Sequence, residues 1–258
     1  MSLPPTHEVV ALPAEMRAIA RRGEWRGSTG GQCPAYQQAN LVILPKEAVA
    51  EAAAFCTRNP KPCPLIEITP PGDPEPARSG PGADIRTDLP GYRVYRHGQL
   101  VEKRGEIREL WRDDLVAFLL GCSLTFEHAL IEAGVGVRNV EFSTLVPMFI
   151  SSLACRPAGR FHGLQVVTMR PIPERQVQLA CESARVFRPR QFAAVYAVNP
   201  RRGMRSSLVL GLSQVLGSAC LFHVVAGWLK VRVDSSQSPR HDFAVIFGSP
   251  QRLPAKRR

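Results

Sequence analysis

The chain has 258 residues, 45% of them hydrophobic and 21% charged, enough to bury a sizeable core as one large domain or two smaller ones. No apolar run reaches the roughly 18–20 uninterrupted residues of a membrane helix; the longest candidate, 208–229, is broken by Ser213, Gln214, Gly217, Ser218, His223 and Gly227, so it reads as buried helix or strand. The net charge of +11 is one-sided: residues 184–258 hold 13 Lys and Arg against Asp234 and Asp242 alone, while residues 1–183 carry 20 of each sign. That excess is interleaved with apolar stretches and forms no helical basic stripe or RNA-binding motif, so nucleic acid is not the expected partner. Seven cysteines, widely spaced and without a CxxC pair, argue for reduced thiols rather than a disulfide framework or a zinc site, and six scattered histidines assemble no metal motif either. Pro4, Pro5, His7 and Glu8 stand where a signal peptide would need a continuous apolar stretch. The default compartment is the cytoplasm, or the mitochondrial matrix in a eukaryote.

In chain order, residues 14–22 read as a short helix stopped by Gly23, and 28–31 as a turn. Residues 39–45 form a strand ended by Pro45, followed by an alanine-rich helix over 46–56. Pro60, Pro62 and Pro64 make 59–64 a rigid connector that cannot be helical, leading into a strand over 65–68. Residues 69–90, rich in Pro, Gly and Asp, are too long for an ordinary loop and point to a functional or mobile segment. A hairpin over 92–102 turns at His97 and Gly98, and 106–111 forms a short helix. Residues 115–120 are six apolar residues in succession, the pattern of a strand buried on both faces. Gly121, Cys122 and Ser123 break the run, and a helix from Thr125 presents Phe126, Leu130 and Ala133 on one face before Gly134. Strands are expected over 135–140 and 164–170, with a loop-rich stretch between them. The alternation of strand and helix predicts an α/β fold: a mixed sheet with flanking helices in a two-subdomain architecture, its C-terminal part atypical.

Two constellations could carry chemistry. Cys122 and Ser123 before a helix offer a thiol, a hydroxyl and backbone donors, which suit a nucleophile or an oxyanion cradle, or equally a buried thiol with Ser123 as a helix cap. Glu127 is the fourth residue after Ser123, one too far for a capping box, and is either free for another task or simply a favourable acid in a first helical turn. The second is Asp84, Arg86 and Asp88; if the segment is extended, alternation puts all three on one side, where Arg86 could fork a carboxylate and an aspartate could act as base. A self-paired ion network accounts for the same residues. Arg138 and Arg170 follow expected strands and could clamp an anion, whereas Asn40, just before a strand core, is generic.

Several longer motifs resemble the hydro-lyase family that includes D-glutamate cyclase, the YcsI-like proteins. They are Tyr36-x-Gln38-Ala-Asn40, the run from Asn59 to Pro64, and the run from Asp84 through Pro90 to Tyr92 and Val94. Further on come Trp111-x-Asp113-Asp114, Gly121-Cys122-Ser123 with Phe126 and Glu127, Val146-Pro147-Met148, Cys155 through Gly159, and Val166 through Pro171. The resemblance covers roughly residues 20–175. It implies a mixed α/β fold of two subdomains and a lyase that interconverts D-glutamate with 5-oxo-D-proline and water, without metal or organic cofactor. On this resemblance the expected catalytic residues are Asp84, Asp88, Glu127 and Ser123, and the expected substrate-binding residues Arg86, Arg138, Cys122 and Asn40. The expected partner is a small molecule, D-glutamate or a similar amino acid, in a chain that does not bind membranes and is compatible with homo-oligomers. The alternative is a non-catalytic relative that binds an amino acid, or an anionic partner through the basic tail.

The chain departs from the family pattern at defined places. Cys33-Pro34-Ala35 replaces Ala-Pro-Gly before Tyr36, Asn139 stands where a histidine usually follows the arginine, and Leu145 and Phe149 bracket Val-Pro-Met in place of Asn and Tyr. The family motifs stop near 176–183, where the charge balance also changes, which divides the chain into 1–183 and a basic region 184–258. A shifted reading frame or an alternative exon would produce such a tail. So would a diverged C-terminal subdomain in which 208–212 and 220–225 still pack as core.

Overall fold

A computed structural model describes residues 9–185, apart from Ala35, His97, Ser143, Leu145 and Met169, together with four later strands. In chain order the strands are β1 (Ala39–Pro45), β2 (Leu65–Ile68), β3 (Tyr92–Arg96), β4 (Gln99–Arg104), β5 (Leu115–Gly121), β6 (Met148–Ala154), β7 (Leu164–Thr168), β8 (Arg170–Ile172), β9 (Val195–Val198), β10 (Leu208–Leu212), β11 (Leu216–Ser218) and β12 (Ala244–Phe247). The helices are α1 (Pro13–Arg21), α2 (Lys46–Arg58), α3 (Glu127–Glu132), α4 (Arg138–Glu141) and α5 (Val177–Arg185).

The main sheet runs β2-β5-β1-β12-β3-β4, and two three-stranded sheets run β8-β10-β9 and β11-β7-β6. This is the expected mixed α/β class, with every described ladder antiparallel. The reason lies in β5, which inserts between β1 and β2. Those two strands, joined through α2, run parallel to each other but never touch.

β5 is the strand that positions everything else. All seven of its residues are buried, and its period of two sorts them cleanly. Val116, Phe118 and Leu120 join Val42, Leu44 and the α2 residues Ala48, Ala52, Phe55 and Cys56 on one face. Leu115, Ala117 and Leu119 join Leu41, Ile43, Ile85, Tyr92 and Ile107 on the other. The α2 stripe, Ala48, Ala52, Phe55 and Cys56, falls at i, i+4, i+7 and i+8, the spacing that turns one face of a helix to the sheet.

The long segment 69–90 is the cover of that second face. Thr69 exchanges bonds with the Ala117 backbone, Gly72 N–H donates to Leu115 O, and Tyr92 Oη donates to Ile85 O at 2.8 Å. Buried Glu67 accepts from the Arg78 and Ser79 N–H groups at 3.1 and 2.8 Å. The segment thus packs against the sheet along much of its length.

Two motifs dock on each other. Asn59 Nδ2 donates to Arg156 O and Asn59 Oδ1 accepts from Arg156 N–H, both at 2.8 Å, in imitation of one rung of a sheet. Close by, Arg160 forks onto Glu51 of α2.

Two expectations fail. Residues 135–140 do not form a strand: Val135 N–H closes the end of α3 on Leu130 O, and Arg138–Glu141 is the short helix α4. The stretch expected as loop contains β6, which pairs with β7 through a register shift between Ile150 and Ala154 that hides its alternation. The C-terminal strands pair with the rest of the chain: β10 with β8, β11 with β7, and β12 between β1 and β3. Residues 220–225, expected as core, lie outside the described residues. Among the described residues no helix is long and apolar enough to cross a membrane.

Candidate active site

At the end of β5 the ladder closes with Gly121 opposite Ala39, and Cys122 N–H donates to Gln38 O. A 3-10 turn, Ser123–Phe126, then bends the chain into α3, whose first residue is Glu127. Ser123 does not cap this turn. The bend buries Phe126 and Leu130 against Val135, Val137, Ile172 and Ala180, a third apolar cluster separate from those of the main sheet. Glu127 is thereby carried into the interior, only 2% exposed.

Its carboxylate is held in an unsymmetrical way. Oε1 accepts from Arg170 Nε at 2.9 Å, from Arg170 Nη2 at 2.5 Å and from Asn139 Nδ2 at 3.1 Å. Oε2 is buried and has no hydrogen-bond partner among the described residues. Arg170 is 1% exposed, its Nη1 donating to Thr168 Oγ1 at 3.2 Å and its Nη2 also reaching Ser123 Oγ at 3.4 Å. Its guanidinium carbon lies 4.7 Å from the centre of the Phe126 ring, a cation–π contact. The strands bearing Thr168 and Arg170 are flanked by β11 and β10.

Glu127 also forms part of the wall of a cavity of about 280 Å³. Gln32, Gln38, Thr125 and His128 supply its other polar lining, and Tyr36, Leu124 and Ile131 much of its apolar lining. No Lys or Arg is on this wall among the described residues. Gln32, on this wall, accepts from Val10 N–H through Oε1 at 2.8 Å. Cys33, another wall residue, holds a left-handed backbone with φ +49, and burial raises the pKa of its thiol.

The remaining expected residues are distributed differently. Burial raises the pKa of the Cys122 thiol, against the opposing effects of the Leu124 N–H and the Asn40 amide; a buried, protonated thiol is a poor nucleophile. Among the described residues the Asn40 amide nitrogen has no acceptor in strict bonding geometry, although its hydrogen-bonding approach to the Cys122 sulfur works to lower the pKa of that thiol. Cys122, Ser123 and Asn40 are not among the residues that line the cavity. Arg138 is largely exposed, 3.6 Å from Glu141 and over the Phe142 ring. Its neighbours Asn139 and Val140 reach Glu127 and the cavity wall respectively.

Asp84, Arg86 and Asp88 form a group of their own. The segment is a succession of turns, with Asp88 N–H donating to Asp84 O, so the extended geometry expected for it does not occur. Arg86 forks onto Asp84 at 2.8 and 2.9 Å. Asp88 takes both ends of Arg21 at 2.7 Å, the Thr87 hydroxyl at 2.9 Å and the Asp84 N–H at 2.9 Å. These bonds tie α1 to the cover of the sheet.

A mixed α/β fold with a buried, half-bonded carboxylate on a cavity wall is the frame of an acid–base enzyme. Residues 116–205 match the D-glutamate cyclase family. A protein of Geobacillus kaustophilus named "Putative hydro-lyase" is 48% identical over 187 residues, 72% of this chain and 71% of the relative. A Nocardioides protein of the same name is 49% identical over 197 residues, 76% of this chain and 72% of the relative. "Putative hydro-lyase YcsI" of Bacillus subtilis is 48% identical over 174 residues, 67% of this chain and 66% of the relative. The chain belongs to this hydro-lyase family, and is a lyase by that membership.

Arg170, Asn139 and Gln32 are the parts of the site that residue types alone gave least reason to join. Arg170 stood out as an arginine at a strand end within a family motif and as a possible anion clamp, not as a partner of Glu127, and Asn139 only as a departure from the family pattern. Gln32 carried no signal at all.

Proposed function

We propose that this chain interconverts D-glutamate with 5-oxo-D-proline and water, with Glu127 as the proton-transfer group. Two observations support the reading: Glu127 lies on the wall of a cavity, and its buried Oε2 has no hydrogen-bond partner among the described residues. In the forward direction the substrate amine, as free base, attacks the carbon of its own γ-carboxyl group, which carries the proton the amine has given up. The new C–N bond forms as the C=O π pair moves onto oxygen. Glu127 Oε2 takes a proton from the nitrogen and returns it to the departing hydroxyl, so that water leaves when the C=O reforms. The same two transfers run in reverse for hydrolysis.

The developing oxyanion needs a donor, and the Gln32 amide on the cavity wall supplies one in place of Ser123. For the α-carboxylate, Arg138 is the available cation. Its bond to Glu141 is long and solvent-exposed, so a substrate carboxylate can exchange with it at small cost. Arg86 is already forked onto Asp84. Asp84 and Asp88 are proposed as structural ions, and Cys122 and Asn40 as support outside the cavity lining.

Incubating the purified protein with 5-oxo-D-proline and assaying D-glutamate tests this. Wild type is expected to form D-glutamate, and Glu127→Gln to lose turnover by about 10²-fold or more. Equal rates in the two proteins would overturn the role of Glu127.

A further inference from the structure

We propose that Arg170 is a positioning residue for Glu127, one that binds a single carboxylate oxygen so that the other stays open, and that it is not a substrate clamp. The inference rests on the reading of Glu127 as the proton-transfer group.

The argument is a comparison within the molecule. Five other arginines use the same two nitrogens, Nε and Nη2, to fork across both oxygens of a carboxylate. The pairs are Arg21 with Asp88, Arg22 with Glu24, Arg86 with Asp84, Arg112 with Asp114, and Arg160 with Glu51. The fork is the lowest-energy arrangement for an ion pair whose only task is cohesion. Arg170 departs from it, placing both Nε and Nη2 on Oε1. Asn139 adds a third donor to that same oxygen.

The departure is enforced from behind. Thr168 Oγ1 holds Nη1, Ser123 Oγ lies within reach of Nη2, and the Phe126 ring sits against the guanidinium face. Held in this way, the guanidinium cannot slide across to take both oxygens. Rotating the Glu127 carboxylate would break three bonds at once. The carboxylate is fixed in one orientation, and the oxygen left over is the one without a donor among the described residues. Arg170 is itself absent from the cavity wall.

Three variants test this with 5-oxo-D-proline as substrate. Arg170→Lys keeps the charge but loses the two-nitrogen grip. Its kcat is expected to fall by about 10²-fold with KM within about twofold of wild type, the signature of misplaced chemistry rather than lost binding. Arg170→Gly is expected to recover part of its rate when guanidinium is added to the assay. Asn139→Leu leaves the ion pair intact, and so keeps the question open to measurement should the arginine variants fail to fold; its kcat is expected to fall several-fold at unchanged KM.

A raised KM at unchanged kcat in Arg170→Lys or Asn139→Leu would make the group a substrate clamp and overturn the proposal. Should wild type turn over neither 5-oxo-D-proline nor D-glutamate, the proposed reaction fails on its own, and the positioning is read by NMR instead. The Arg170 Nε–H resonance is expected to be protected from solvent exchange in wild type and to lose that protection in Glu127→Leu. Free exchange in wild type would overturn the proposal.

Discussion

Two buried carboxylates in this chain, Asp88 and Glu127, are each held by an arginine, and they are held for opposite ends. Asp88 has donors on both oxygens: the two arms of Arg21, a threonine hydroxyl and a backbone N–H. Nothing remains for a ligand, and the bonds join α1 to the cover of the main sheet. Glu127 has three donors on Oε1 and, among the described residues, none on Oε2. A buried carboxylate oxygen left without a donor carries a desolvation penalty that a purely structural ion pair would avoid. Burial and an arginine partner are common to both; the distribution of donors between the two oxygens sets them apart, and the proposed roles rest on that difference.

The sharpest way to break this comparison is to neutralise each carboxylate in turn. Glu127→Gln is expected to abolish most turnover. Asp88→Asn is expected to leave kcat and KM near wild type, while lowering stability by about 1–3 kcal/mol as an amide N–H meets groups that are all donors. Chemical denaturation midpoints beside kinetics check both, and a loss of turnover in a stably folded Asp88→Asn would erase the distinction.

A smaller effect is expected at Gly159. Its φ of +55 is left-handed, and an added Cβ would overlap the Glu51 carboxylate. Gly159→Ala is therefore expected to destabilise by about 1–3 kcal/mol through backbone strain and the broken Arg160–Glu51 fork, read as a lowered thermal midpoint. Turnover per folded molecule should not change.

The smallest effect concerns pH. Burial works to raise the pKa of Asp84, but the Arg86 side chain, the Arg86 N–H and the nearby charges outweigh it and hold the carboxyl below its usual range. For Glu51 the Arg160 hydrogen bonds dominate and burial opposes them, with the same downward result. A folded pKa below the unfolded one stabilises the fold above the unfolded value of about 4 and ceases to do so as pH falls through the folded value. Thermal midpoints should therefore drop on acidification below about pH 4 in wild type. Asp84→Asn should narrow that drop, and a wild type and variant that differ by the same amount at pH 3 and pH 7 would contradict this assignment.

The sequence by itself determined the elements whose signals are local. An unbroken apolar run made β5, three prolines made the connector after α2, and Gly98 and Gly134, both at positive φ, fell where a turn and a helix end were expected. It also placed Glu127 at the start of a helix following a buried strand. It failed over 135–140, where alternating valines look like a strand although Gly134 has already turned the chain back on α3. It failed again at β6, whose pairing slips register.

What only the tertiary structure decided is the difference between the two acids. In sequence, Asp84, Arg86 and Asp88 form the more compact constellation, with their charges close together along the chain. Nearness along the chain is also what lets such groups satisfy one another. Glu127 instead draws its donors from Asn139 and Arg170, 12 and 43 positions away, and Ser123 meets Arg170 across 47. Which oxygen those donors occupy depends on where β7 and β8 lie against α3, and on β11 and β10 flanking them. Hydrogen-bond direction is fixed by packing in three dimensions, and no spacing along the chain encodes it.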